Sequence, residues 1–404
     1  MKNLKKDFPI FEQKSSDSNL IFCDNAATSQ KPKKVIESLV KYYSHTNASI
    51  YRGMYKLAEE TTAAFEVARK KVQDFLHAKD SSEIIFVRGA TEGINFVATA
   101  WGNQHIKAGD EIVVTELEHH SNLIPWQQLA AQKKATLKFI PVTHDGFIDL
   151  STLDSIITEK TKLVAINHVS NAIGTHVPIE PIFKRARAVG AATLLDACQS
   201  VPHTPVNVQQ LECDFLVFSG HKMLAPTGIG VLFIKKEIQN DAPPYQFGGG
   251  MVAEADYSHA SFLPAPHKYE AGTPAIAQAI GLGAAVDYLN TTIDFTQLKK
   301  HEANLCAQLI VGLHSISGIR ILGPIEELKE RGHLVSFTMD GFHPHDIAAY
   351  LDQFGICVRA GHYCAQPLAK KLGIDGSVRV SFYIYNTVHD VEIIVEKLRE
   401  LSLL

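Results

Sequence analysis

The feature that most constrains the fold is a run of short apolar segments between residues 80 and 235. They are rich in β-branched residues and separated by helix-length stretches: EIIFV (83–87), EIVVTE (111–116), LKFIPV (137–142), LVAINHVS (163–170), ATLLDA (192–197), DFLVFSG (214–220) and IGVLFIK (229–235). Continuous apolar strands that alternate with helices are typical of a mostly parallel sheet covered on both faces. The sequence therefore predicts an α/β fold with a mostly parallel seven-stranded sheet, whose ligands bind at the carboxyl ends of the strands.

Length and composition indicate a second, smaller domain. The chain has 404 residues, more than one hydrophobic core usually organises. Residues 241–274 are rich in Gly, Pro and Ala and are predicted to form an irregular loop. A helix is predicted over 275–289, and a second over 387–401, where Thr387 and Asp390 have the spacing of a capping box.

Charge and cysteine usage argue against several classes of protein. The net charge of −4 arises from interspersed residues, which does not favour a nucleic-acid or anionic-lipid partner. No uncharged stretch approaches the length of a membrane span and the start lacks a signal-peptide pattern, so we expect a cytoplasmic protein with a small-molecule substrate. The cysteines form no CxxC pair, and we expect no metal site. Cys23, Cys198 and Cys213 lie in apolar segments and are expected to be buried.

Polar residues follow two of the predicted strands. DFLVFSGHK (214–222) ends in Lys222, and the preceding strand, ATLLDACQS (192–200), ends with Asp196 and Gln199. A desolvated lysine can form a Schiff base with a carbonyl, and a carboxylate can hold a pyridinium nitrogen protonated. In VRGATEGINFVA (87–98), Thr91 lies at a predicted helix N-terminus that favours a phosphate. Each signal alone fits a turn lysine or an ordinary helix cap, but together they predict a pyridoxal 5'-phosphate (PLP) site.

Nine segments carry a resemblance to a known family. They are DNAATSQKP (24–32), RGATEGIN (88–95), ELEHHSNLIPWQ (116–127), HVSNAIGT (168–175), DACQSVPH (196–203), SGHKMLAPTGIGVLF (219–233), YEAGTPAIAQAIGLGAAVDYL (269–289), RAGHYCAQPL (359–368) and VRVSFYIYNT (378–387). Together they resemble the class V aminotransferase group of PLP fold type I enzymes, and within it the Suf-type, or group II, cysteine desulfurases. The resemblance implies three parts: an N-terminal segment that packs with the small domain (1–20), a large PLP-binding domain (21–290) and a small α+β domain that carries the persulfide loop (291–404).

The resemblance also implies roles at the cofactor. Lys222 would bind PLP covalently, Asp196 would pair with the pyridine nitrogen, Gln199 would contact the phenolic oxygen, and His119 would stack on the ring and share proton transfers. The phosphate would be held by four residues, the last reaching in from the partner of a homodimer: Thr91, Ser219, His221 and Thr273. As simpler alternatives, His119 could be a surface histidine, and Gln199 and Ser219 could cap turns.

The implied reaction converts L-cysteine to L-alanine. Cys364, in a loop predicted to be exposed, would take the sulfur as a persulfide. Arg379 would be the main anchor of the substrate carboxylate with help from Arg359, and Asn171 would contact substrate or cofactor. The persulfide would pass to a small sulfur-acceptor protein of the SufE or SufU type and on to an iron–sulfur assembly scaffold.

Two positions depart from the family pattern. Tyr51 and Tyr363 stand where relatives commonly have histidine, which removes groups that titrate near neutral pH. Two alternative functions stay open. One is a selenocysteine lyase or another class V lyase, and the other is a non-catalytic scaffold with the same fold. Cys364 in its loop favours desulfuration, and Lys222 argues against a pure scaffold, because a scaffold has no need of a cofactor-binding lysine.

Overall fold

The structure is a computed structural model that describes residues 4–12 and 20–403. Part of the predicted N-terminal segment, 1–3 and 13–19, lies outside the described residues. Within the described ranges, no helix is both long and apolar enough to cross a membrane.

The strands of the described residues form one large sheet and three smaller ones. They are β1 (Ile21–Phe22), β2 (Ile84–Val87), β3 (Glu111–Thr115), β4 (Thr136–Ile140), β5 (Thr161–Asn167), β6 (Ala192–Asp196), β7 (Phe215–Ser219), β8 (Gly230–Ile234), β9 (Val252–Ala255), β10 (Ala260–Phe262), β11 (Ile319–Leu322), β12 (Leu334–Met339), β13 (Ile356–Cys357), β14 (Arg359–Gly361) and β15 (Ser377–Ser381).

The large sheet contains all seven strands predicted from the apolar segments, in the order β2, β8, β7, β6, β5, β3, β4. Strand β8 pairs antiparallel with both of its neighbours, and the other pairings are parallel. Its central strands are buried on both faces, as their continuous apolar sequence requires. The prediction of a mostly parallel seven-stranded sheet is confirmed.

Helices cover the sheets. They are α1 (Lys33–Lys41), α2 (Lys56–Leu76), α3 (Ala90–Val97), α4 (Asn103–His105), α5 (Ile124–Lys133), α6 (Leu153–Ile156), α7 (Ile179–Ala188), α8 (Val208–Leu211), α9 (Ile276–Thr292), α10 (Phe295–His314), α11 (Ile325–Arg331), α12 (Pro344–Asp352), α13 (Gln366–Lys371) and α14 (Val388–Leu401). The predicted capping box is present at the start of α14, where Thr387 accepts from the Asp390 N–H and Asp390 accepts from the Thr387 N–H. Close packing of α9 depends on small residues, since a Cβ at Gly283 would lie 2.9 Å from the Cβ of Ala68.

The segment 241–274 was predicted to be an irregular loop. The structure corrects this prediction, because the segment contains an antiparallel hairpin of β9 and β10. Its turn is closed by the Asp256 carboxylate, which accepts from the backbone N–H groups of Ser258 and His259. The prediction missed the hairpin because its strands are short and exposed and so carry little apolar periodicity.

The C-terminal part forms a second layer of structure. Strands β11, β12, β15 and β14 make an antiparallel sheet backed by α10, α12 and α14 around a separate apolar core. The N-terminal segment contacts both parts: the Lys5 ammonium pairs with Asp390 at 2.9 Å, and Asp7 accepts from the Tyr288 hydroxyl at 2.8 Å. The boundaries at 20 and 290 stay predictions.

Candidate active site

A cavity of about 320 Å³ opens at the carboxyl ends of β6 and β7. Eleven of the twelve residues predicted from the sequence line it: Thr91, His119, Asn171, Asp196, Gln199, Ser219, His221, Lys222, Arg359, Cys364 and Arg379. The twelfth, Thr273, lines a separate cavity with Tyr51 and Arg52. Residues up to about 290 positions apart in sequence are thus brought to one edge of the sheet, where parallel α/β folds bind ligands.

The floor of this cavity is formed by two neighbouring strand ends. Strands β6 and β7 pair in parallel, so Asp196 at the end of β6 lies beside the turn that carries Lys222 after β7. One Asp196 oxygen accepts from the Cys198 backbone N–H at 3.0 Å. The turn is held from the other side, where the His221 carbonyl accepts from the Lys31 ammonium at 2.8 Å. The predicted convergence of lysine and carboxylate is therefore present.

Two histidines of the cavity are neutral at physiological pH. Burial, reinforced by the charge of Lys222, lowers the pKa of both His119 and His221 to about 4. The His119 Nδ1 accepts from the backbone N–H of Ser121 at 3.1 Å. A neutral imidazole has one proton, so His119 holds it on Nε2 and offers the cavity a donor.

One end of the cavity lies beside the N-terminus of helix α3. The Ser219 hydroxyl oxygen accepts from the Ala90 backbone N–H at 2.9 Å, which leaves the hydroxyl proton available, and Thr91 follows in the first helical turn. Gly89 precedes the helix, and a Cβ there would approach the Ser219 oxygen to 3.2 Å. Ser219 makes no side-chain cap hydrogen bond in its own turn, which was the simpler alternative; it accepts from the first residue of α3 and lines the cavity.

The rim carries Cys364, the exposed cysteine of the described residues. It lies between β14 and α13, and both Tyr363 and Cys364 have left-handed backbone angles, with φ of 53° and 56°. The loop is fixed through its carbonyls: the Asn171 amide donates to the Tyr363 carbonyl and the His120 N–H to the Cys364 carbonyl, both at 2.7 Å. Both donors lie in segments that follow strands of the large sheet, Asn171 after β5 and His120 after β3, so the loop is tied to the cavity.

The arginines are held by a residue to which the sequence analysis gave no role. Asp24 accepts from Arg359 Nη2 at 2.5 Å and from Arg379 Nη2 at 3.3 Å. Arg379 also donates to the Asn171 carbonyl at 2.7 Å and lies 4.7 Å from the ring centre of Tyr363. Its buried Nε has no hydrogen-bond partner among the residues that the structure describes. Asp24 opens the segment DNAATSQKP, so its motif was visible, but its partners lie more than 330 positions away.

Comparisons with known proteins identify the family of the chain. The sequence model described as aminotransferase class-V matches residues 21–394. The chain belongs to this family.

Relatives of this class V chain span almost its whole length. It is 46% identical over 98% of its length to a probable cysteine desulfurase from Streptomyces coelicolor, covering 95% of that protein. A solved cysteine desulfurase from Thermococcus onnurineus superposes with a TM-score of 0.94 at 40% identity, covering 100% of this chain and 98% of the other. The cysteine desulfurase CsdA from Escherichia coli gives 0.90 at 34% identity, with 99% and 97% covered. The predicted fold type is confirmed.

Proposed function

We propose that this class V chain is a PLP-dependent cysteine desulfurase of the Suf type, which transfers the sulfur of free L-cysteine to Cys364 and releases L-alanine. The observation that carries the proposal is that Lys222, Asp196, Arg379 and Cys364 all line one cavity. Relatives at about 45% identity described as cysteine desulfurases support the same reaction class.

The residues present fit PLP. The cavity floor supplies a primary amine in Lys222 and a buried carboxylate in Asp196, which are the groups that bind the aldehyde carbon and the pyridine nitrogen. Ser219 and the first turn of α3 suit the phosphate. When bound, PLP supplies an electron sink for the carbon that loses its proton. His119 lies in the same cavity as an uncharged ring that can stack on an aromatic face.

The protein's own groups then position the amino acid. Arg379 is 2% exposed and its Nε has no partner in the described part of the chain, so a substrate carboxylate would satisfy it. Desolvation lowers the Arg379 pKa, and the Asp24 carboxylate opposes this shift. Lys222 is the amine that can carry the substrate's α-proton, while His119 holds its own proton on Nε2 and serves as a donor.

The sulfur step conserves atoms and electrons without an added oxidant. The Cys364 thiolate forms a sulfur–sulfur bond with the substrate sulfur while the substrate carbon–sulfur bond breaks. The carbon takes up a proton and leaves as alanine, and Cys364 keeps the outer sulfur as a persulfide. The exposure of Cys364 supports onward transfer to a small acceptor protein of the SufE or SufU type and an iron–sulfur scaffold, in the cytoplasm.

The proposal includes a homodimer. Thr273 lies outside the cavity of its own chain, which is what we expect if it contacts the phosphate in the partner's site. Tyr51 lines the same second cavity as Thr273, so the replacement of histidine by Tyr51 would also alter the partner's active site.

The deciding experiment measures alanine and protein-bound persulfide from cysteine with the purified protein, after recording its absorption spectrum. We expect a bound-PLP band, alanine, and a persulfide that maps to Cys364 and is lost in Cys364→Ser. A bound-PLP band with neither product from cysteine would contradict the desulfurase assignment and favour another class V lyase, for which selenocysteine is the first substrate to test. The absence of any PLP band would favour the scaffold reading.

A further inference from the structure

A buried polar cluster lies behind the cavity wall that Gln199 forms. It consists of Gln199, His333, His203 and Glu302, which we call the histidine stack, and none of the four is more than 6% exposed. Buried polar side chains lower stability unless they are hydrogen-bonded, and each member here has such a partner. Burying these polar groups costs free energy that an apolar filling would not, and the cluster ends in a hydrogen bond to Gln199.

The Gln199 amide is fixed from both sides. Its Nε2 donates to the Ala26 carbonyl at 2.7 Å, and a carbonyl can only accept, so the NH2 group must face Ala26. Its oxygen then faces Nε2 of His333 at 3.2 Å. An amide oxygen can only accept, so His333 must carry its proton on Nε2. One N–H of Gln199 remains, and Gln199 lines the cavity.

The His333 ring is itself held in place. It stacks on His203 with ring centres 3.9 Å apart and planes within 18°, and Nδ1 of His203 contacts the Glu302 carboxylate at 2.8 Å. Burial holds the pKa of His333 well below its usual range, so the ring is neutral and its one proton is committed to Gln199. Burial of the ring therefore keeps His333 as an uncharged donor to the Gln199 oxygen.

We propose that His333 is a positioning residue that orients and polarises the Gln199 amide, so that the remaining N–H of Gln199 is a strong donor to the phenolic oxygen of bound PLP. The proposal rests on the proposed function, because it requires PLP in the cavity. A hydrogen bond accepted by an amide oxygen strengthens the N–H on the same amide as a donor. A donor to a titrating oxygen favours its anionic form, so His333 lowers the pH at which the bound chromophore titrates.

The test is a pH titration of the visible absorbance of the PLP-loaded protein. His333→Phe keeps an aromatic ring against His203 and removes the donor, and Gln199→Leu removes the amide. In both we expect the apparent pKa of the chromophore to rise by about half a pH unit, with no further rise in the double variant. His333→Gln places an amide N–H close to the position of Nε2 and should return the titration to that of the unchanged protein.

Several outcomes would overturn the inference. A normal titration of His333→Phe beside a shifted Gln199→Leu would make His333 a packing residue, and a normal titration of Gln199→Leu would remove the amide from the cofactor. If His333→Phe does not fold, His333→Asn replaces it, because its amide reaches only the Nδ1 position: an Asn variant that titrates like the Gln variant contradicts the proposal. Failure of the proposed function looks different, since the unchanged protein would then show no PLP band or make no alanine.

Discussion

Two cysteines line the same cavity and differ in almost every property that governs reactivity. Cys198 lies in the floor, buried after strand β6, and burial followed by the charge of Asp196 raises its pKa to about 12. Cys364 lies on the rim, exposed, in a loop with two consecutive left-handed residues. Because a thiolate is the reactive form, burial makes Cys198 a poor nucleophile, and the proposed sulfur chemistry falls to the exposed Cys364.

The floor and the rim are also held differently. The floor residues follow strands of the large sheet and are fixed by strand pairing and burial. The rim loop is fixed at its carbonyls by the Asn171 side-chain amide and the His120 backbone N–H. A fixed floor suits the binding of a cofactor, whereas a surface loop held by a few hydrogen bonds suits a group that must meet both the substrate and an acceptor protein.

The largest expected effect comes from removing the floor's amine. Lys222→Ala should abolish the yellow absorbance of bound PLP and lower alanine production by at least about 100-fold, because the covalent anchor and the proton carrier are lost together. Lys31→Ala is the matched control, since Lys31 contacts the same turn through the His221 carbonyl. If the Lys31 variant loses the band and the Lys222 variant keeps it, the lysine assignment is wrong.

The contrast between the two cysteines can be measured directly by alkylation. With a pKa of about 12, only about one Cys198 thiol in 10⁴ is ionised at pH 8, and the group is also buried. We expect iodoacetamide to label Cys364 first and to block persulfide formation, with peptide mass spectrometry reporting the sites. Cys198→Ser should leave both labelling and persulfide unchanged. Labelling of Cys198 at the rate of Cys364 would contradict the assignment of reactivity to the rim.

Asp24 links the rim arginine Arg359 to the buried Arg379, and its removal should have a smaller effect. Asp24→Asn keeps the shape but weakens two charge-assisted contacts, so the arginines lose their orientation. We expect KM for cysteine to rise about 10-fold while kcat changes less. Steady-state kinetics separates the two, with Arg379→Lys expected to raise KM further. A fall in KM would mean that Asp24 competes with the substrate carboxylate.

The sequence predicted the floor better than the supports around it. Buried strands are recognisable from their apolar runs. Asp196 ends one of these strands and Lys222 lies in the turn that follows another, so their proximity follows from sheet topology. Asp24 contacts Arg359 across 335 positions, and His333 contacts Gln199 across 134. No local sequence pattern indicates contacts of such long range. The hairpin in 241–274 was missed for a related reason, because its exposed strands lack an apolar pattern.

The smallest effect on turnover is expected from His168, which follows strand β5 and donates its backbone N–H to the Asp196 carbonyl. Its buried Nδ1 has no hydrogen-bond partner within residues 4–12 and 20–403, and burial lowers the pKa of His168 from 6.5 to about 4. Between pH 4 and pH 6.5, His168 is therefore protonated in the unfolded chain and neutral in the folded protein. Stability contributed by the neutral ring is present above pH 6.5 and is lost as pH falls towards 4, with a slope of at most about 1.4 kcal/mol per pH unit.

His168→Leu should remove this slope and leave alanine production near that of the unchanged protein. Urea unfolding at pH 7.5 and pH 5 measures it, and we expect the difference in free energy of unfolding between the two pH values to shrink by up to about 2 kcal/mol. His144→Leu is the matched control, because His144 is exposed. If His168→Leu leaves the difference in free energy of unfolding unchanged, water must reach the His168 ring. The cavity floor would then be less well shielded from solvent than the comparison with the rim assumes.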